Sequence, residues 1–550
     1  MKKKLFKPFA WLTCITILTS SCSGEEPTTP QTQNLINTEI PFSSMNMDEN
    51  GQLKMKFAES LANALVANQD LRRLVKEEAL KKFDKDYDVM YQLVKNKSIT
   101  PIDYNGKSNG KIDKSILIKS SQATTFRNAI LPFFKNEAEL IEIEQKLPLL
   151  TIFVPELPLG YFSAETWDVN DENQVPEVAF RLNTSNDIPV IGKDGNKYVI
   201  EAELTPGFPI IVIKENERLR VKQNKNRTNK NTKLANVDFE NFEFIDENFD
   251  PNASNPNPPI VNNSSIDERL IDAYNFWNNN DGWQRDYIYH GLTTTNTTGP
   301  LTRNYAEHIT SFRLAGDPKV AFNYISINSS PGDPDPQQVS DYRINRSSGW
   351  TDGDFEFNVY CYFGSKSNDT GEAKIKTFGL KPDDLFSMSY SSYTTGTWFW
   401  RKTFIRTEIV ATKQIDFLDP KYNLKLQLEV WDLSKYGADW QFKFEEYDTT
   451  VKQNIGESQS TKITANVNGE LSGTLFEILK VGLKWGVTKE VTKTNTYNME
   501  FTTTSNPLGS SIVSFYDNAI NKNPTTGVFI SRTYSTGRVE FSIMPTRVQW

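Results

Sequence analysis

Near Leu149 the hydrophobic pattern changes its period from about 3.6 residues to about 2, and this switch limits the fold more than any other feature. Before it, Leu53, Met55, Phe57, Leu61 and Leu65 recur at helical spacing, with Ala58, Ala62 and Ala64 filling the gaps. Asp70, a residue type that caps helices, opens a second stripe through Leu71, Leu74, Val75 and Leu80. A third helix is expected after Asp86 through Val89, Met90, Leu93 and Val94. A fourth spans 125–134 with Pro132 inside it, and Asn136 caps a fifth that ends near Lys146. Residues 46–148 therefore read as a helical bundle. After the switch, 150–154, 178–182 and 209–213 read as strands, and Lys193-Asp194-Gly195-Asn196 as a hairpin turn before Tyr198. These predict a small β-rich unit over 149–217.

Residues 218–262 are expected to be a disordered linker. Arg218, Arg220, Lys222, Lys225, Arg227, Lys230 and Lys233 stand among asparagines, an acidic run follows over 238–250, and prolines crowd 251–259. The basic block lacks interleaved aromatic residues, so it does not read as a nucleic-acid arm. A short helix is expected over 266–277. Strands are expected at 283–289, 321–327, 355–363, 403–412 and 424–431, separated by Gly, Asp, Asn and Pro clusters. That rhythm predicts an antiparallel β-sandwich over 263–450. A C-terminal β domain is expected over 451–550, with two strands in 528–544 around the Ser535-Thr536-Gly537 turn. The chain as a whole reads as a multi-domain α+β protein, mostly β: an N-terminal helical bundle with a small β unit, then antiparallel sandwich modules.

With 34 Phe, 21 Tyr and 11 Trp in 550 residues, the chain has the apolar mass for several cores. Its formal net charge of −8 suits neither nucleic acid nor an anionic lipid surface as a partner held by field alone. Of the three cysteines, Cys14 and Cys22 lie near the N-terminus, which leaves Cys361 in the alternating run 355–363. Cys361 reads as a buried, inert thiol, and stability must come from burial, not cross-links.

Lys2, Lys3, Lys4 and Lys7 precede an apolar stretch over 9–18 that is too short to span a bilayer, and Thr19-Ser20-Ser21 then leads into Cys22. This resembles a bacterial lipoprotein signal peptide over 1–21, which implies that Cys22 carries lipid on its thiol. Thr19 departs from the usual Leu. Ser23-Gly24-Glu25-Glu26 resembles the surface-export signal of Bacteroidetes lipoproteins, which implies an outer-membrane protein exposed at the cell surface. Residues 22–45, rich in Pro, Thr, Gln and Asn, read as a flexible tether. Residues 46–217 resemble a module of secreted bacterial lipoproteins through the Phe83-Asp84-Lys85-Asp86-Tyr87-Asp88 and Phe162–Asp168 stretches, a resemblance that implies no activity.

Chemistry-bearing motifs are scarce. His290 and His308 are the only histidines, neither has a spaced partner, and no HExxH, GxSxG, GxxxxGK or paired CxxC occurs. Both therefore read as structural. Asp333, Asp335, Asp352 and Asp354 lie in loops between expected strands and are weak candidates for calcium, which seeks several converging carboxylate oxygens. Asp84-x-Asp86-x-Asp88 begins like an EF-hand, but Val89 stands where that loop needs Gly and Lys95 where it needs Glu. The stretch 460–501 alternates: Ile463, Ala465 and Val467 share one face, as do Val481, Leu483, Trp485 and Val487. It resembles the membrane-inserting hairpins of aerolysin-type pore-forming proteins, whose spanning strands need only about 9–11 residues. A sandwich with one wet face alternates in the same way.

Three functions are compatible with these features. The expected one is a lipid-anchored surface protein that binds an extracellular glycan, protein or lipid without catalysis. A pore-forming or toxin-type protein using 460–501 is the alternative. An extracellular hydrolase with a carboxylate pair is the third.

Overall fold

Asp48 accepts a hydrogen bond from the Gly51 amide at 2.7 Å and starts helix α1 (Glu49–Ala67), whose Leu53, Phe57, Leu61 and Leu65 are buried on one stripe. Helix α2 (Gln69–Ala79) follows at once, capped by Asn68 and not by Asp70. The computed structural model describes residues 40–99, 124–202, 204–222, 241–252, 266–278, 282–326, 349–351, 353–364, 372–396, 401–447 and 506–548. Its architecture is α+β and mostly β, with several antiparallel sheets.

The helix expected after Asp86 is instead strand β1 (Asp88–Met90) followed by a single turn, α3 (Tyr91–Val94). All three β1 residues are buried, which leaves no wet side for a surface helix. A two-residue pair, β2 (Ser98–Ile99) with β3 (Thr124–Thr125), precedes the helical turn Phe126–Ile130 and the helix Glu137–Lys146, which Asn136 caps as its sequence position suggests. Strands β4 (Leu150–Phe153), β5 (Glu177–Phe180), β6 (Ile188–Ile191), β7 (Lys197–Ile200) and β9 (Ile210–Glu215) join β1 in a six-stranded sheet of order β1-β4-β9-β5-β6-β7. Only the β5–β9 pair is parallel. Gly195 takes a positive φ in the β6–β7 turn.

α1 lies on this sheet as well as against its neighbouring helices, with Leu71, Phe126 and Leu140 in the same core. Phe57, Leu61 and Leu65 share one core with Ile152, Val178, Phe180 and Ile213. Within the expected linker, β10 (Leu219–Val221) pairs with β11 (Phe242–Phe244), so these described parts of it are built into the fold.

A second core gathers residues from Leu270 to Val548. One sheet of order β17-β12-β23-β22 contains β12 (Tyr305–Leu314), β17 (Ile415–Asp416), β22 (Thr533–Ser535) and β23 (Val539–Arg547). The facing sheet, of order β14-β13-β18-β19, contains β13 (Phe355–Gly364), β14 (Glu372–Leu380), β18 (Asp439–Glu446) and β19 (Asn506–Ser514). Their inner faces meet through Phe312, 4.9 Å from Phe357, and Phe541, 4.7 Å from Phe444, measured between ring centroids. β19 and β23 thus complete the sheets begun before residue 450, so the expected boundary at 450/451 divides no core. A small hairpin, β20 (Ile520–Lys522) with β21 (Phe529–Ser531), lies between them in sequence.

Two expected strands are helices. Gln284–His290 turns Arg285, Ile288 and Tyr289 inward at spacings of one turn and ends on Gly291 at φ 67°. Asp317 accepts from the amides of Lys319 and Val320, and with Pro318 it starts the helix Pro318–Ser326. The expected strand at 424–431 runs extended beside β12, with the Leu428 amide 2.8 Å from the Glu307 carbonyl.

The two cores are joined by a ribbon. β15 (Phe386–Thr395) and β16 (Lys402–Thr412) form a long antiparallel pair, and β16 also pairs with β8 (Leu204–Pro206). Phe386 and Ile409 sit in the sandwich core, whereas Phe404 sits in the N-terminal one.

Candidate functional site

On β13 the odd residues Phe355, Phe357 and Val359 enter the sandwich core, so Glu356 must project from the outer face of its sheet. It meets Arg218 there. The Arg218 Nε donates to Glu356 Oε1 at 2.8 Å, one terminal nitrogen donates to Asp354 Oδ2 at 2.8 Å, and the other donates to the Asp84 carbonyl at 2.9 Å. Asp86 Oδ2 lies 3.7 Å from the same nitrogen that binds Asp354. The Phe249 ring packs 5.0 Å from the guanidinium carbon.

The other half of the cluster comes from the N-terminal sheet. Asp88 lies on β1, with Asp86 and Asp84 two and four residues before it, and all three are buried. Asn216, just after β9, donates from Nδ2 to Asp84 Oδ2 at 2.6 Å and to Asp88 Oδ2 at 3.2 Å. Its own oxygen accepts the Arg218 amide at 2.9 Å, a turn that sets the direction of Arg218. Lys214 on β9 lies 3.7 Å from Asp88. Gly353 closes the arrangement: its φ is +89°, and a Cβ there would run into Asp86 Oδ2.

The electrostatics follow from enclosure. Burial raises Asp84, Asp88 and Asp354 above the ordinary carboxylate range, although the Arg218 or Lys214 charge opposes it. Burial lifts Glu356 to about 7 in the same way. Asp86 Oδ2 and Asp88 Oδ1 have no hydrogen-bond partner. Such a cluster holds protons that isolated carboxylates would release.

Of the four calcium candidates, Asp354 is in this cluster, whereas Asp333, Asp335 and Asp352 lie outside the described residues. Asp354 spends an oxygen on Arg218, whose guanidinium takes the place a cation would need. Among the described residues no group of three or more His, Cys, Asp or Glu converges as metal ligands do. In Asp84-x-Asp86-x-Asp88 the sequence reading looked only for an EF-hand pattern and missed that the triplet faces Arg218. Period-2 spacing ahead of a buried strand was the available signal.

Both histidines are occupied internally. His308 is buried, with Nδ1 against the Ala306 carbonyl and the Thr546 hydroxyl, and burial lowers it to about 4. His290 Nδ1 lies 3.3 Å from the Gly299 carbonyl, and burial lowers it too. Cys361 is fully buried on β13, and burial pushes its thiol well up, as expected of an inert side chain. Cys22, the Ser23–Glu26 stretch and the insertion candidates Ile463, Ala465, Val467, Val481, Leu483, Trp485 and Val487 lie outside the described residues. No helix among the described residues is long and apolar enough to cross a membrane.

Among the described residues, β15 is an exposed strand of unusual composition. Apart from Phe386 and Met388 it consists of Ser, Thr and Tyr, without a charge, and Ser389, Ser391, Ser392 and Thr394 face solvent. Tyr390 and Tyr393 stand half-buried between them. Comparison of the chain with protein-family models, curated proteins and solved structures found no match.

Proposed function

We propose that the chain is a lipid-anchored, surface-displayed protein with a non-catalytic binding or adhesion role, and that β15 is its contact strand. The anchor rests on the signal-like residues that end at Cys22 and on the acidic Ser23–Glu26 stretch after it. The uncharged Ser/Thr/Tyr surface of β15 carries the binding reading. Tyrosine supplies contact area at low entropic cost, serine and threonine supply adaptable hydrogen bonds, and the same residue types dominate antibody paratopes. The strand is also held at both ends, by Phe386 in one core and by Phe404 of its partner strand in the other, so little ordering entropy remains to be lost on binding.

The test is a panel of immobilised glycans probed with the purified chain. Retention of one or more glycans is expected, and Ser389→Lys with Ser391→Lys should weaken it at least about tenfold, since each lysine must be desolvated in the contact. The thermal midpoint should not move, because both positions are exposed. Equal retention by the double variant would exclude β15 as the contact.

The pore-forming reading has one observation of its own. β18 and β19 pair directly, with Glu446 opposite Asn506, so both ends of the intervening segment start side by side, as an extending hairpin requires. Dye-filled vesicles exposed to the chain should then leak, and Leu483→Lys should stop the leakage, since a lysine on the lipid face near the bilayer midplane costs about 2–4 kcal/mol. Intact vesicles at saturating protein would leave the binding reading alone. The acids around Arg218 lend the hydrolase reading no support, since Arg218 covers them.

A further inference from the structure

We infer that the Arg218 cluster is a proton-operated latch between the N-terminal sheet and the sandwich: with its acids partly protonated Arg218 holds both bodies, and with all of them ionised their mutual repulsion loosens the contact. This goes beyond the binding reading and does not depend on it.

The geometry carries the inference. Asp84, Asp86 and Asp88 face the cluster from the N-terminal body, Asp354 and Glu356 face it from the sandwich, and Arg218 is hydrogen-bonded to both sides. Fully ionised, these five carboxylates confront two cations, Arg218 and Lys214. The other charged groups nearby are already matched. Lys54 pairs with Glu215 beside Lys214, and Lys381, which also faces Asp354 and Asp86, brings its own partner acid Glu156, so the balance is unchanged. Lys85 faces Asp246 and Asp250 as well as Lys425. The surplus is therefore negative and enclosed, and like charges in a shared buried site cannot all ionise without cost. Asp86 Oδ2 and Asp88 Oδ1, buried and accepting no hydrogen bond, show which side lacks donors.

Protons have a way in. The Asp354 side chain keeps 16 % of its surface exposed, whereas Glu356 keeps 4 %. The sign follows from linkage. Burial raises Asp84, Asp88 and Asp354 in the joined state, and Glu356 to about 7 from 4.5. The joined state thus binds protons that the separated state releases, so the latch is fully held only below 3.8, the ordinary value of the aspartates, and the part due to Glu356 is lost as pH rises from 4.5 through about 7.

Hydrogen exchange on the full chain, corrected for the intrinsic pH dependence of exchange, tests this. Protection of 84–90 and 353–357 should fall at least about tenfold between pH 5 and pH 8, while protection within 57–65 and 440–444 holds. Glu356→Gln, which keeps an acceptor for Arg218 and removes a charge, should retain most of that protection at pH 8. Asp354→Asn serves if the first variant does not fold. Asp286→Asn is the control: Asp286 is lifted to about 7 by burial alone and lies outside the cluster, so its removal should leave the response in place. A pH-invariant contact, an equal loss in both cores, or an undiminished response in both cluster variants would overturn the inference. So would protection at pH 8 restored by millimolar calcium, which would make the cluster a cation site.

Discussion

Arg218→Met is expected to destabilise the folded chain by about 3–5 kcal/mol at pH 8, and by distinctly less at pH 5. The large effect does not come from Arg218 having a strong net attraction for its partners. It comes from what the variant leaves behind. The Glu356 and Asp354 carboxylates and the Asp84 carbonyl remain enclosed, and methionine offers them no donor in exchange for the three nitrogens of Arg218. An enclosed carboxylate with no partner must either stay charged at high cost or take up a proton. At pH 5 the second route is nearly free, because burial already lifts Glu356 to about 7. At pH 8 each such proton costs roughly 1.4 kcal/mol for every pH unit above the carboxyl's unfolded value. Urea unfolding followed by tryptophan fluorescence reads both cores, since Trp167 lies in the first and Trp431 and Trp440 in the second. The wild-type transition should be single and should separate into two in the variant at pH 8. Midpoints that match the wild type at pH 8 would mean that the ribbon alone joins the cores and that Arg218 is incidental.

That cluster also marks how far local pattern reaches. The stripe of α1, the Asn136 cap, the Asp194-Gly195 turn and the alternation of β13 are properties of neighbouring residues, and all were legible because each reports a single period or a single cap. The helices Gln284–His290 and Pro318–Ser326 were misread as strands because short apolar runs satisfy both periods. In the second case the decisive residues were Asp317 and Pro318, which also look like a turn. The helical stripes were legible for only part of their surroundings. A stripe shows that a face is buried but not everything that buries it, and here α1 meets, besides its neighbouring helices, a sheet whose central strand β9 comes some 150 residues after it. The candidate site was least legible of all. Arg218 stands in a basic run that looks solvated, and its partners lie 134 to 138 positions away on either side. Asp354 was singled out for its loop position, whereas its actual role depends on Arg218.

Glu307→Gln should cost about 3–5 kcal/mol, and Glu307→Leu combined with Arg285→Met should recover most of it. Both side chains are fully buried at the centre of the sandwich. Arg285 is joined to Glu307 by two hydrogen bonds, of 2.8 Å and 3.1 Å, and donates to the Asp517 carbonyl at 2.8 Å. Tyr289 donates to Glu307 from the same helix at 3.1 Å, and the guanidinium lies 4.9 Å from the Trp431 ring, which stacks on Trp440 at 4.0 Å. The pair therefore ties the helix Gln284–His290 to β12 and to the turn after β19. Removing only the acid strands a guanidinium that burial already penalises and whose largest offset comes from Glu307. Removing both charges eliminates the penalty along with the attraction, and the two apolar side chains fill a site that aromatic rings already line. The Tyr289 hydroxyl then lacks its acceptor, so full recovery requires Tyr289→Phe as well. The comparison separates two roles for a buried charge pair. If the double variant is as unstable as the single one, Arg285 holds the Asp517 turn through its carbonyl bond and the pair stabilises the sandwich on balance. If stability returns, the pair specifies where the helix docks without adding to the free energy of folding, and chemical unfolding of the three variants at pH 7 distinguishes the outcomes.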